Sequence, residues 1–210
     1  LLADQKTGML PEQARGEILT DIAAQLGEFS SLIGDLVQLS REDAPPPRPE
    51  IMDLADVVAR AVQRAKRRGP TMVFDVQTES QLVLGDSQAI ERSVTNLLDN
   101  AVKFSPSGGR ITVRMADETI TVADEGPGIS DEDLPHIFDR FYRSDQSRNT
   151  PGTGLGLSIV AHTVNSHGGW IKASRAPDGG ALFTMHLPTV DPYDVAGNES
   201  AGSESLLTSE

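Results

Sequence analysis

Three polar side chains recur at helical spacing in one stretch of the sequence. Asn96, Asn100 and Lys103 are four and three residues apart, so a helix would carry two amides and an ammonium on one face. Mg²⁺ prefers oxygen ligands and keeps several waters, so an amide oxygen suits it, and the ammonium suits a polyphosphate beside it. For this helix alone a solvated face is the simpler explanation, although asparagine is unfavourable inside a helix.

A carboxylate precedes two glycines in the loop DEGPGI, residues 124–129. Because Asp124 alternates with Ile120 and Val122 along one predicted strand, we expect its carboxylate on the apolar side, where it needs hydrogen-bond donors. The exocyclic amine of adenine is such a donor, and the glycines let a base approach the backbone. An Asx-turn, in which Asp124 accepts from the amides of its own loop, explains the pattern equally well.

A second glycine cluster, GTGLGL at residues 152–157, precedes an apolar helix. Amides before a helix are directed at an anion, with the helix dipole behind them. The cluster is not a dinucleotide-binding fingerprint, because Leu157 replaces its third glycine, and the chain has no P-loop. A plain tight turn is the alternative for this cluster alone.

The aromatic and basic segment FDRFYR, residues 138–143, is followed by a polar stretch at 144–151. Aromatic residues can anchor a loop, and arginines can move onto a phosphate, so the segment suits a mobile lid. An ordinary surface loop is the alternative interpretation.

In this order, the four segments resemble the catalytic domain of sensor histidine kinases and, more broadly, the gyrase, Hsp90 and MutL ATPase superfamily. The chain as a whole resembles mycobacterial members of that family. Residues 96–101 resemble the N box of that family and residues 124–129 its first glycine box. Residues 138–141 match the F box, and residues 152–157 match the second glycine box. Each motif is modest by itself, but four in the correct order rarely arise by chance.

The resemblance implies that ATP and Mg²⁺ bind to this chain. Asn100 would coordinate Mg²⁺, and the catalytic set of Asn96, Lys103 and Arg143 would position the phosphates, with Arg143 toward the terminal one. Asp124 would bind the adenine amine. The other residues implied to contact ATP are Phe104, where the family more often has Tyr, and Gly126, Gly128, Ile129, Tyr142, Gly152, Thr153, Gly154, Leu155, Gly156 and Leu157.

One position separates kinases from hydrolases within the resemblance. Hydrolysing relatives such as gyrase carry a Glu one helical turn before the Mg²⁺-binding Asn, where this chain has Asn96, and a neutral amide is a poor general base. Phosphoryl transfer to a protein depends more on positioning and charge neutralisation. We therefore expect a protein-histidine kinase. The rivals are an ATPase clamp, which would release phosphate steadily, and a non-catalytic nucleotide-binding module, which would bind ATP without transfer.

The phosphoacceptor histidine that the resemblance implies stands in an H-E-x-x-x-P motif, which this sequence lacks. None of the four histidines present is assigned that role; they are His136, His162, His167 and His186. We expect the acceptor upstream of the chain, so the chain alone should not phosphorylate itself. A response regulator would receive the phosphoryl group from that histidine.

Four segments are predicted from composition and patterning. Residues 1–42 would be part of a dimerisation and phosphoacceptor helical region, because residues 12–42 carry a heptad stripe that suits either a homodimer or packing on the chain's own domain. A Pro-rich linker at 43–50 would separate it from the catalytic domain at 51–190, and residues 191–210 would form a disordered acidic tail. The stripe residues are Ile18, Ile22, Gln25, Phe29, Leu32, Leu36 and Leu39.

The catalytic domain is predicted to be α/β. Hydrophobic periodicity indicates helices near 54–65, 86–104, 131–137 and 155–166 and strands near 71–77, 81–84, 111–115, 120–124, 169–175 and 181–187. The resemblance implies a two-layer Bergerat-type sandwich with the helices on one face of a mixed sheet, preceded by the remnant of a helical hairpin.

The overall composition limits the kinds of binding partner and metal site that the chain can have. A formal net charge of −13 argues against nucleic acid, and the absence of cysteine excludes disulfides and thiolate metal sites. No apolar run reaches the roughly 20 residues of a membrane helix. The resemblance implies the cytoplasmic part of a bacterial inner-membrane sensor, held at the membrane only through segments that this chain lacks.

Overall fold

The computed structural model describes residues 14–16, 18, 19, 22, 49–147, 150, 152–177 and 179–191. Within the predicted helix at 12–42, the described residues are helical, and the rest lie outside the described residues. The predicted linker is described only at residues 49 and 50, and the predicted tail only at Asp191.

The described part of the catalytic domain alternates strands and helices. Its helices are α1 (Leu54–Arg68), α2 (Ser87–Phe104) and α3 (Gly156–Ser166), with a 3₁₀ turn at Asp145–Ser147. Its strands are β1 (Glu50–Asp53), β2 (Val73–Thr78), β3 (Leu82–Gly85), β4 (Arg110–Ala116), β5 (Thr119–Ala123), β6 (Trp170–Arg175) and β7 (Ala181–His186).

Five strands form one mixed sheet in the order β2-β4-β5-β7-β6. Only β2 and β4 pair in parallel, and the other neighbours are antiparallel. Strands β1 and β3 form a separate antiparallel pair. The mixed sheet predicted from the sequence is therefore confirmed.

Alternate residues of the central strands are buried, which leaves one face of the sheet for the helices. Ile111, Val113 and Met115 of β4 are at most 2% exposed and belong to one aliphatic core with residues of all three helices. The opposite face carries polar residues such as Thr112 and Arg114, in the alternation expected of a sheet with one buried face. The predicted two-layer α/β architecture is confirmed.

Helix α2 starts and is held in place by specific polar contacts. Asp86 is its N-cap, and the Asp86 carboxylate accepts from the amides of Gln88 and Ala89. The Asp86 amide donates to Nε2 of His167, 3.0 Å away, just beyond the end of α3. The Nδ1 atom of that ring lies 2.6 Å from the Thr163 carbonyl, so His167 ties the start of α2 to the end of α3.

Two elements differ from the sequence-based expectation. The predicted helix at 131–137 is a series of turns, because Pro135 has no N–H and cannot continue the helical hydrogen bonds made by Leu134 and Ile137. Strand β1 was not predicted, and it begins at Glu50, the last residue of the predicted linker. Its pairing with β3 is a long-range contact that a pattern of four residues does not reveal.

Candidate functional site

One cavity of about 480 Å³ lies between α2, the loop after β5, the segment before α3 and the start of α3 itself. Its volume is in the range of sites that bury small molecules. The predicted site residues that line it are Asn96, Asn100, Lys103, Phe104, Asp124, Gly128, Ile129, Tyr142, Arg143, Gly152, Thr153, Gly154, Gly156 and Leu157. Segments that are far apart in the sequence therefore meet at one place.

Gly126 and Leu155 are the predicted site residues that are not part of the cavity lining. The Gly126 amide donates to Asp124, and a Cβ on Gly126 would lie 2.7 Å from the Phe104 carbonyl oxygen. Leu155 is buried, and its amide donates to the Thr153 hydroxyl at 3.1 Å. Both residues shape the loops that form the site.

Asp124 directly follows β5 and is only 6% exposed. Its Oδ1 accepts two backbone hydrogen bonds, from Gly126 at 2.8 Å and from Ala181 at 3.0 Å. No hydrogen bond from another described residue reaches its Oδ2. Burial raises the pKa of Asp124, and the two amides oppose this shift only in part. The carboxylate therefore forms the Asx-turn that the sequence allowed and keeps one oxygen for a further donor.

The turn between β6 and β7 supports this carboxylate. Gly180 has a φ of +79°, and a Cβ on it would lie 1.9 Å from the Asp124 carbonyl oxygen. Gly128, with a φ of +77°, packs on the same turn, and a Cβ on it would lie 3.0 Å from the Gly180 carbonyl oxygen. Only glycine fits such a close approach of two backbones. In the sequence this turn is marked by the pair Gly179-Gly180 before the last strand. Such a pair is typical of any hairpin turn and does not reveal the contact with Asp124.

The polar row of α2 faces the cavity as its spacing predicts. Asn96 and Asn100 are half-buried, and Lys103 is exposed. The Asn96 side-chain N–H donates to the Gly156 carbonyl at 3.1 Å, which ties the middle of α2 to the start of α3. The Lys103 Nζ lies 4.9 Å from the centre of the Phe104 ring. It also lies 2.9 Å from where a Gly152 Cβ would be, so the glycine leaves room for the lysine.

Asp99 lines the cavity beside Asn100 and was not predicted as a site residue. One of its oxygens accepts from Arg68 at the end of α1, and its Oδ1 is buried with no hydrogen-bond partner. Burial raises the pKa of Asp99, although the Arg68 guanidinium opposes the shift. Its place in the chain, directly before the predicted Mg²⁺ ligand Asn100, was the signal available in the sequence.

The segment that the sequence predicted as a lid already makes contacts with itself. The Arg143 guanidinium donates to the carbonyls of Ser147 and Thr150. Phe141 has a φ of +63° and a side chain that is 66% exposed, and its amide donates to the Gly154 carbonyl at 3.0 Å. Arg143 therefore folds the segment back on itself, and Phe141 joins it to the loop before α3, beside the cavity.

Several lining residues were not anticipated from the sequence. They are Asp99, Pro127, Asp133, Ile137, Ser144, Ser147, Ala181 and Phe183. Four of the eight are apolar and four are polar, and their positions depend on tertiary packing. None of the four histidines of the chain lines the cavity.

The family model described as histidine kinase-, DNA gyrase B- and HSP90-like ATPase matches residues 85–191. The chain belongs to this ATPase family. The matched region begins at the last residue of β3 and contains every predicted site residue, including the two glycine loops.

Proteins similar to the whole chain are sensor kinases of this family. The chain is 46% identical over 212 residues to the signal transduction histidine-protein kinase/phosphatase MprB of Mycolicibacterium smegmatis, covering 96% of this chain and 43% of that protein. It is 40% identical over 216 residues to the MprB of Mycobacterium avium, covering 98% of this chain and 41% of that protein. The chain thus spans less than half the length of these relatives.

A solved structure of the family has the same fold. The mycobacterial sensor histidine kinase MprB superposes with a TM-score of 0.63 at 38% identity, covering 67% of this chain and 98% of that one. The expected family and the Bergerat-type fold are therefore confirmed. Among the described residues, no helix has the length and apolar character needed to cross a membrane.

Proposed function

We propose that this chain is the ATP-binding catalytic region of a two-component sensor histidine kinase. It transfers the γ-phosphoryl group of Mg·ATP to a histidine outside this chain, from which a response regulator receives it. The observation that carries this proposal is the Asp124 carboxylate, held by two backbone amides with one oxygen left for a ligand in the cavity.

At the base end, Asp124 and the walls around it suit adenine. The free oxygen accepts from the exocyclic amine, and Ile129, Leu157 and Phe183 provide apolar walls for the ring. A carboxylate that burial has left short of donors gains most from a ligand that supplies one. A base that presents a carbonyl oxygen at this point is repelled.

At the phosphate end, positive charge and backbone amides surround the space. Lys103 and Arg143 line the cavity, and the glycine loop at 152–156 leads into the 11-residue helix α3. A helix start preceded by glycines favours anions through its free amides and dipole. The Nη2 group of Arg143 donates to the carbonyls of Ser147 and Thr150, so it can donate to a phosphate only after it gives up those acceptors.

The residues beside this end also fit Mg²⁺. Asn100 supplies an amide oxygen, and Asn96, whose N–H is committed to Gly156, offers its oxygen. Asp99, which also lines the cavity, has one oxygen without a hydrogen-bond partner and adds negative charge to this end. Such oxygen groups are what Mg²⁺ prefers. When bound, the ion neutralises charge on the phosphates.

Asn96 favours transfer to a protein over hydrolysis. Its amide cannot take a proton from water, and its N–H is used to hold the start of α3. What the site offers is orientation and charge neutralisation, which phosphoryl transfer chiefly needs.

The partners follow from the same proposal. The intact protein forms a homodimer through the helical region at 1–42, is phosphorylated on its acceptor histidine, and is anchored in the membrane through segments outside this chain, with this region in the cytoplasm. Nucleic acid is not a partner of a chain with a net charge of −13.

The first experiment is calorimetric titration of a non-hydrolysable ATP analogue with and without Mg²⁺. We expect the wild type to bind, Asn100→Ala to lose the Mg²⁺ dependence and Asp124→Ala to lose the preference for adenine over guanine nucleotides. Absence of binding by the wild type would contradict the proposal.

The second experiment tests phosphoryl transfer. The chain is mixed with γ-labelled ATP and the phosphoacceptor helical hairpin of the M. smegmatis relative, and the label should appear on that hairpin in acid-labile form. A hairpin whose acceptor His is replaced by Gln is the control. Steady phosphate release without labelling would identify an ATPase instead.

A further inference from the structure

The turns at 130–139 carry a carboxylate, Asp133, that is fixed on both sides. The Ser130 hydroxyl donates to Asp133 Oδ2 at 2.7 Å, and the Asp133 amide donates back to the Ser130 oxygen at 3.1 Å. This reciprocal pair fixes the side chain of Asp133 relative to its own turn. Its second oxygen, Oδ1, therefore has a defined direction.

That second oxygen accepts from the hydroxyl of Tyr142 at 2.6 Å, the distance of a strong hydrogen bond to an ionised acceptor. The Tyr142 hydroxyl, and after it that of Ser130, hold the pKa of Asp133 below its ordinary value. The rings of His136 and Tyr142 contact each other in a tilted arrangement, with their centroids 5.5 Å apart. The tyrosine is thus held by its hydroxyl and by its ring.

We propose that Asp133 is a positioning residue that fixes Tyr142 in the wall of the nucleotide cavity and thereby sets the affinity for nucleotide. This inference rests on the proposed function. Asp133 and Tyr142 both line the cavity, and they are nine residues apart in the chain. Asp133 acts through Tyr142.

The backbone before Tyr142 explains why such an anchor is needed. Phe141 has a left-handed φ of +63°, which is unfavourable for an aromatic residue, and it is 66% exposed. The Tyr142 amide donates to the Asp139 carbonyl at 3.3 Å, and the Tyr142 side chain adds a second tie to the turns at 130–139 through Asp133. Because a hydroxyl has one proton and that of Tyr142 goes to Asp133, Tyr142 offers its ring to the ligand and does not donate to a phosphate.

The test is a double-mutant cycle on the 210-residue chain, with the Mg²⁺ complex of an ATP analogue as the titrant. Asp133→Ala and Tyr142→Phe should each weaken binding by about three- to tenfold, and the double variant should be no weaker than either, because both remove one hydrogen bond. Asp133→Asn keeps an acceptor oxygen for the Tyr142 hydroxyl but loses the charge, so its loss of affinity should be smaller than that of Asp133→Ala. Asp131→Ala, an exposed acid two residues earlier, is the matched control and should not change affinity.

A spectroscopic measurement reports the same hydrogen bond without nucleotide. The sequence has two tyrosines and one tryptophan, so in a Tyr193→Phe background the difference spectrum between a variant and its parent cancels the Trp170 absorption and reports Tyr142. Asp133→Ala should give a clear difference signal, Asp133→Asn a smaller one, and Asp131→Ala none. Ser130→Ala removes the support of Asp133 and should give an intermediate shift. It replaces Asp133→Ala if that variant does not fold.

The outcomes separate this inference from the proposed function. If the wild type binds the analogue but the losses in Asp133→Ala and Tyr142→Phe add, or neither variant loses affinity, Asp133 does not act through Tyr142. A shifted band with unchanged affinity also overturns the positioning role. If the wild type binds no nucleotide, the proposed function fails and this inference fails with it, whatever the spectrum shows.

Discussion

The two ends of the cavity hold their polar groups by different means. At the base end, Asp124 is fixed by backbone amides of Gly126 and Ala181, which belong to a loop and a strand of the rigid sheet layer. At the phosphate end, Arg143 is bound to the carbonyls of Ser147 and Thr150, in the same segment that carries it. One end is ready for its ligand, whereas the other must change partners.

This difference assigns nucleotide recognition to the base end and the conformational response to the phosphate end. A group that is already in place loses little conformational freedom when the ligand binds, so its interaction appears almost entirely as affinity. A group that must first give up two acceptors contributes less affinity, but its movement couples the ligand to the shape of the segment around it. We therefore expect the base end to determine which nucleotide binds and the phosphate end to distinguish ATP from ADP.

The largest expected effect comes from Asp124→Asn. The amide oxygen still accepts from Gly126 and Ala181, but an NH₂ group replaces the free oxygen and meets the adenine amine donor to donor. ATP affinity should fall by about 100-fold or more. The nucleotide-free chain should become more stable, because burial penalises the carboxylate that is removed.

Calorimetric titration and thermal unfolding of the same samples test both halves of this prediction. Asp131→Asn is the control for loss of one charge. A less stable variant, or one with unchanged affinity, would show that Asp124 is not prepared for a base.

Gly180→Ala tests the backbone support of the base end. The new methyl would lie 1.9 Å from the Asp124 carbonyl oxygen at a φ of +79°, so the loop must move. We expect a loss of about 2–3 kcal/mol of unfolding free energy, together with weaker ATP binding.

Gly179→Ala is the matched control for this strain. Gly179 has a φ of +89° with nothing within 4 Å of an added Cβ, so the substitution carries the conformational cost alone, about 1–2 kcal/mol. Chemical denaturation gives the comparison, and equal losses in the two variants would mean that the contact with Asp124 is unimportant.

Arg143→Gln addresses the phosphate end. Glutamine can still donate to backbone carbonyls, but it lacks the charge that a terminal phosphate attracts. The ratio of ATP to ADP affinity should fall by about tenfold, while ADP affinity changes by less than about twofold. Competition titrations with Arg140→Gln as the control measure this ratio, and an equal loss for both nucleotides would refute the separation of the two ends.

The smallest effect is a pH dependence of stability. Burial raises the pKa of Asp124 above its ordinary value of 3.8. The folded state therefore favours the protonated side chain, and this contribution to folding stability is fully present below pH 3.8 and is lost as pH rises through the folded-state pKa. The stability gained by Asp124→Asn should therefore be smallest at low pH and grow toward neutrality. Denaturant unfolding from about pH 3 to pH 7 measures it, and parallel curves for the two proteins would argue against a destabilised carboxylate.

Local patterns predicted the parts of the site that one element carries. The spacing of Asn96, Asn100 and Lys103 places them on one face of α2, and the alternation through Ile120 and Val122 correctly directs Asp124 inward. These predictions succeed because helical and strand periodicities are properties of a few neighbouring residues.

Contacts between distant segments were not predictable in this way. Ala181, 57 residues beyond Asp124, holds the carboxylate with a backbone amide that any residue type except proline offers. The neighbouring Gly180 gains its importance only from the loop packed against it. Likewise, Arg143 is basic in the sequence whatever it binds, so its attachment to Ser147 and Thr150 depends on how the segment folds back.

The two hydrogen bonds that link α2 and α3 have a consequence for the dynamics of the domain. His167 joins the start of α2, at Asp86, to the end of α3, and Asn96 joins the middle of α2 to the start of α3, at Gly156. We expect helices linked at two points to open as one cooperative unit, so their amides should exchange with solvent together and slowly in deuterated buffer. Under the proposed function, release of a bound nucleotide would then not require separation of the two helices.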